Sequence, residues 1–225
     1  MLKRTKIVLI GSSIAMSTVM VQAQQNEEEQ PPMTFFVTSV GTGNGANLGG
    51  LDGADQHCQK LAEAAGSTDQ TWRAYLSTQE SDGEPAVNAR DRIGNGPWHN
   101  AKGVQIGANL DSLHYDNSNI NYAGALNENG NTINSGGMGN TPNRHDILTG
   151  SQLDGTAFPP TEDMTCSNWT SDDEAGAAFV GHHDRFRRTT PGSSWNSVHK
   201  SRGCSQDKLK ASGGDGLFYC FASDS

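Results

Sequence analysis

Four cysteines, Cys58, Cys166, Cys204 and Cys220, constrain this chain more than any other feature, because all of them follow a segment that reads as an export signal. Lys3, Arg4 and Lys6 form a basic cluster, Ile7 to Val21 is mostly apolar and uncharged, and Val21-Gln22-Ala23 is a small-residue cleavage signature. Such a segment is a secretory signal peptide, residues 1–23, with cleavage expected after Ala23. The apolar run falls short of the roughly 20 residues that a membrane span needs, so no span is expected in the mature chain. No cysteine follows the cleavage position, so lipid anchoring there is not expected. An even count of cysteines outside the cytoplasm implies two disulfides, and the absence of a CxxC pair speaks against thiol ligation of a metal. The count alone permits three pairings. The expected address is the periplasm or the external medium.

Residues 24–33, with "NEEEQPP", read as a flexible acidic linker. Residues 34–225 then form one domain, long enough for a real core. Only 33% of the chain is hydrophobic and 27 residues are glycine, so much of the domain must be loop. A net charge of −9 argues against nucleic acid as a partner.

The stretch "VTSVGTGNGANLGGLDGADQHCQKLAEAAG" has the outline of a dinucleotide-binding turn. The outline fails on spacing. The loop runs on through Gly49 and Gly50 before the helix, and the acidic position about 20 residues on, near Glu63, is still helical. The glycines serve a tight, irregular turn instead. Asp52 reads as the helix N-cap with Asp55 three residues on, Ala54, Cys58, Leu61 and Ala65 as the apolar face, and Gly66 as the terminator. "TWRAYLST" alternates Trp72, Ala74 and Leu76 against Arg73, Tyr75 and Ser77, as a half-buried strand does. "GLFYCFAS" is apolar on both faces and reads as a central strand, and a first strand is expected at Thr34 to Ser39. With Cys58 inward on the helix and Cys220 on the last strand, those two can staple the elements together.

The order of strand, glycine loop, "GADQHC" helix, "RAYLS" strand, "CSNWTS", "GC" and terminal "LFYCF" strand resembles the C-type-lectin-like fold in its endostatin-like branch. The resemblance covers roughly Phe35 to Ala222. It implies an α+β fold: a mixed or antiparallel twisted sheet, one or two short helices, long irregular loops and two nested disulfides, Cys58–Cys220 and Cys166–Cys204. Secreted bacterial proteins with similar "TPNRHDILTGS" and "CSNWTS" blocks are called lectins. The resemblance therefore implies a non-catalytic carbohydrate-binding protein, with a glycan or an extracellular protein as partner. A structural or adhesive interaction module is the alternative, and a metal-dependent hydrolase the third reading.

In true C-type lectins, calcium is held by Glu-Pro-Asn and Trp-Asn-Asp triplets. Their nearest equivalents here are Thr141-Pro142-Asn143 and Trp195-Asn196-Ser197, each one carboxylate short, with Asp146 as a replacement. The expected ligand residues are accordingly Asn143, His145, Asp146, Trp195 and Asn196, with calcium as the candidate cofactor. Eleven asparagines between Asn100 and Asn143 suit either solvated loop or sugar hydroxyls. A second cluster, "GHHDR", offers His182, His183 and Asp184, with Asp146 and with His145 or His199 folded nearby, as candidate zinc ligands. Adjacent histidines on a strand face opposite ways, so one of the pair at most binds on a given side. The zinc ligands near the N-terminus of endostatin-like domains have no counterpart, and Arg185, Arg187 and Arg188 make only a small basic patch. No GxSxG, HExxH or SxxK motif occurs. A hydrolase would need His145, Asp146, His182 and Asp184 to converge in one cleft.

Overall fold

A computed structural model describes residues 30–114, 118–185 and 194–225. The expected signal peptide, most of the expected linker, Arg187 and Arg188 lie outside the described residues. The fold is α+β. Strands β1 (Phe35–Val37), β2 (Trp72–Ala74), β5 (Asp146–Leu148), β6 (Phe179–His182), β7 (His199–Lys200) and β8 (Gly214–Ala222) form one mixed sheet. β3 (Trp98–His99) and β4 (Gln105–Gly107) form a separate antiparallel pair. The helices are α1 (Gly50–Ala64), two single turns, α2 (Leu110–Leu113) and α3 (Cys166–Trp169), and α4 (Gln206–Ser212).

β8 is the spine. It pairs antiparallel with β1 and β2 through its C-terminal half, and parallel with β5 through its N-terminal half. The sheet then continues from β5 to β6 and β7. The alternation in β8 places Phe218, Cys220 and Ala222 in one apolar cluster and Leu217, Tyr219 and Phe221 in another. Both faces of the strand are covered, the first by α1 and the second by residues such as Ile93 and Ile120 of the loops and Ile106 of β4. That second cover changes the reading of "TWRAYLST". The ladder stops at Ala74, and Tyr75 and Ser77 are buried like Trp72 and Leu76.

α1 differs from the sequence expectation at its start. It begins at Gly50, its N-cap is Gly49 in the left-handed region, and no side chain caps it. Asp52 lies in the first turn. Asp55 is turned inward, where it accepts from the Ala74 amide at 2.9 Å, from Arg73 Nη1 at 2.7 Å and from Arg92 Nη2 at 2.7 Å. The buried stripe is therefore Ala54, Asp55, Cys58 and Ala62, and Ala65 is exposed. Gly66 ends the helix as expected: its amide donates to Glu63 and that of Ser67 to Ala62. Gly45 shows what the preceding glycine loop is for. A Cβ there would sit 2.3 Å from the carbonyl oxygen of Cys204, so only glycine lets the loop lie against that segment.

The disulfides are Cys58–Cys220 and Cys166–Cys204, nested one inside the other. Cys166, Ser167, Asn168 and Trp169 all have positive φ, so α3 is a left-handed turn. That conformation costs roughly 1–2 kcal/mol per residue. The inner disulfide, the Asp163 carboxylate on the Ser167 amide and the Asn168 side chain on Gln79 hold it.

Trp195 and Asn196 are interior residues, and this corrects the expectation that they face a ligand. Both are fully buried. Trp195 Nε1 donates to the Leu113 carbonyl, and Asn196 Nδ2 donates to Tyr75 Oη and to the carbonyls of Gln152 and Leu153. Asn196→Ala should lower stability by about 1–3 kcal/mol, because it leaves the buried Tyr75 hydroxyl and two carbonyls short of a donor. Chemical denaturation measures this, and wild-type stability would contradict the assignment.

The asparagine-rich connection is stapled in the same way. Asn100 Oδ1 accepts from the Lys102 and Val104 amides while its Nδ2 donates to the Gly124 carbonyl. Asn109 caps α2, and Asn121 and Asn127 each accept from two loop amides. These side-chain amides fix the loop backbone.

Candidate metal centre

Three neighbouring strands bring the cluster together. Asp146 opens β5 and lies directly opposite His182 at the end of β6. His199 opens β7 opposite Val180, two residues before His182. Residues paired across a ladder, and residues two apart along a strand, share a face. Asp146, His182 and His199 therefore project to one side of the sheet from positions separated by long stretches of sequence.

Their contacting atoms crowd one point. Asp146 Oδ1 is 3.2 Å from His182 Nε2 and 3.6 Å from His199 Nε2, and the two nitrogens are 3.1 Å apart. Ligands about 2.0–2.1 Å from a tetrahedral ion stand roughly 3.3 Å from one another, which is this spacing. The Asp146 side chain is 2% exposed, yet neither of its oxygens has a hydrogen bond of normal geometry. A buried carboxylate without directed donors is costly, and a cation among the three groups removes that cost.

His145 stands just before β5. Its ring stacks on His182 with centroids 4.1 Å apart. Its Nε2 is 3.1 Å from Asp146 Oδ1 and its Nδ1 is 3.4 Å from Asp184 Oδ2. Asp184, itself buried, accepts a hydrogen bond from Ser135 Oγ. Two groups thus share His182: Asp146 with His182 and His199, and His145 with His182 and Asp184. The first has the closer spacing. The second places a carboxylate behind an imidazole, as the outer shell of a metal site does. With three protein ligands a tetrahedral ion keeps one position open. The cluster reaches solvent at the His199 side chain, 40% exposed, and at His145, 24% exposed.

Protonation follows from these contacts. Burial opposes ionisation of Asp146, but the surrounding imidazoles hold its carboxyl far below the usual carboxylate range. Burial likewise opposes ionisation of Asp184, and His145 and Ser135 bring it down to about 2. Burial lowers the pKa of His145, but Asp146 and Asp184 outweigh it and raise the value to about 9. Asp146 raises that of His199. The cluster without metal is therefore held together by protons.

His183 does not belong to either group. It is fully buried, neither ring nitrogen has a hydrogen-bond partner, and burial pushes its pKa down to about 4. It follows His182 in the turn after β6, and its nitrogens are not among the atoms of either group. Asn143 adjoins the cluster but is occupied on one side: its Oδ1 accepts from the Gly136 amide at 2.6 Å. The donor set does not suit calcium, which takes six to eight oxygens, and fits an ion of the zinc class that accepts imidazole. His199 had the weakest sequence signal of the triad, since "SVHKS" carries no motif and only the β6–β7 pairing brings it in.

No family model matches the chain, and no curated protein matches it. Among the described residues no helix is long and apolar enough to cross a membrane.

Proposed function

We propose that this chain is an exported metal-binding module that holds a zinc-class ion through Asp146, His182 and His199, on a C-type-lectin-like fold of the endostatin-like branch. One observation carries the reading: a nearly inaccessible carboxylate meets imidazole nitrogens at ligand–ligand distances without forming directed hydrogen bonds. The fold assignment is supported by the central terminal strand and the nested disulfides. Disulfides of this kind are consistent with an extracytoplasmic address. The sugar-binding role implied by the lectin resemblance draws no support from Trp195 and Asn196. A metal-dependent hydrolase is the second reading, favoured by the His145–Asp184 pair beside the ligand triad.

Calorimetry of the metal-stripped mature protein tests the proposal. Zinc and cobalt should each bind at one site, and calcium should give no comparable heat. Protons give the sign of the pH dependence. The raised value of His199 means that a proton competes with the ion for that ring more strongly than in a free imidazole, and coordination must expel it. Apparent zinc affinity should therefore rise with pH, about tenfold per unit for each proton displaced. Heats in buffers of different ionisation enthalpy should differ accordingly. Absence of zinc and cobalt binding defeats the reading.

A further inference from the structure

Beside the cluster lies a cleft of about 350 Å³ lined by Pro142, Asn143, Arg144, Lys210, Gly214 and Asp215. Its rim is cationic on a protein whose net charge is −9. Asp215 faces both bases, with Oδ2 3.0 Å from Arg144 Nε and Oδ1 3.9 Å from Lys210 Nζ. Gln206 Nε2 also donates to that Oδ1, at 2.8 Å. Arg144, Lys210 and Asp215 together leave one positive charge in excess. The Arg144 Nη groups have no hydrogen bond among the described residues, and they form the flat fork that suits a carboxylate or phosphate.

The cleft adjoins the cluster through Gly213 and Gly214. Gly214 lies opposite Asp146 in the β5–β8 ladder. A Cβ on Gly213 would sit 3.0 Å from Asn143 Nδ2 and 3.1 Å from His145 Nε2, and the residue has φ +117°. Glycine there leaves a notch between the amide and the imidazole. The same His145 Nε2 is 3.1 Å from Asp146 Oδ1. The cluster and the Arg144 guanidinium thus adjoin one another through Asn143, Gly213 and Gly214.

Resting on the metal reading, we propose that this cleft is an oxyanion subsite. A carboxylate or phosphate group binds Arg144 and Lys210, and one of its oxygens takes the open position on the ion. The molecule recognised is then a small anionic ligand, held jointly by metal and protein. Its capture needs both partners, because an exposed arginine and lysine alone hold an anion weakly.

Cobalt-loaded mature protein reads this directly, since the visible spectrum of bound cobalt responds to a change of ligand. Titration with acetate and, separately, with inorganic phosphate should shift the cobalt bands in at least one arm, and the responding arm identifies the group. Arg144→Ala should retain cobalt and weaken the anion response at least tenfold, with thermal melting confirming the fold. Lys210→Ala, at an exposed position, gives a second variant with the same direction of effect should Arg144→Ala fail to fold. Bound cobalt with no response to either anion overturns the subsite and leaves the metal reading intact. An unchanged response in the folded variants also overturns it. Failure of cobalt to bind overturns the metal reading itself, and the subsite with it.

Discussion

Asp146→Asn should weaken zinc binding by about 100-fold, or about 2.7 kcal/mol. The substitution keeps the shape of the side chain and removes the only anionic ligand of the triad. It also removes the counter-charge that holds protons on His145 and His199, so the metal-free cluster loses its present balance. Asp184→Asn should cost less, about tenfold, because Asp184 reaches the ion only indirectly, through His145 and the ligand Asp146 that His145 contacts. His183→Phe should leave affinity unchanged, since that buried ring belongs to neither ligand group. Zinc titration of the three variants ranks the roles. Wild-type affinity in Asp146→Asn would remove the triad from consideration, whatever the other two show.

Loss of the outer disulfide should have the largest effect on stability. Cys58 and Cys220 are 162 residues apart, against 38 for Cys166 and Cys204. On the chain-entropy relation the outer bridge contributes about 5 kcal/mol and the inner one about 4. Each kcal/mol corresponds to about 2–4 °C in a domain of this size. The double variant Cys58→Ala/Cys220→Ala should therefore melt roughly 10–20 °C lower than wild type. The variant is a cleaner test than a reductant, because both sulfurs are fully buried between α1 and β8 and reach solvent only on opening. A melt within 2–3 °C of wild type would refute the staple role.

The central strand was legible because "LFYCF" leaves no polar residue for solvent on either side. The end of α1 was legible because Gly66 is followed by a break in the apolar pattern. The start was not. Asp52 with Asp55 three residues on suggests a capping box, but Asp55 is held by two arginines, at positions 73 and 92, that local sequence cannot place beside it. Tertiary pairing overrode the local rule. The candidate site shows the same division. Its residue types stood out in "GHHDR" and "RHD", yet the ligand set depends on ladder register. One register step on β6 would have presented His183 in place of His182. Trp195 and Asn196 drew attention through a triplet that matches a calcium motif. Their surroundings, not their identity, decide that they brace Tyr75 and the loop at Gln152.

The position of β8 also sets the order in which this protein can acquire its shape. The spine that joins β1, β2 and β5 is the last of the described elements, and it carries Cys220. A chain made from its N-terminus presents α1 and the other described strands before the strand that unites them. The early strands, three residues each, have no partner to pair with until then. β1 and β2 therefore join the sheet only once β8 is in place, and the Cys58–Cys220 bridge closes in that same late step.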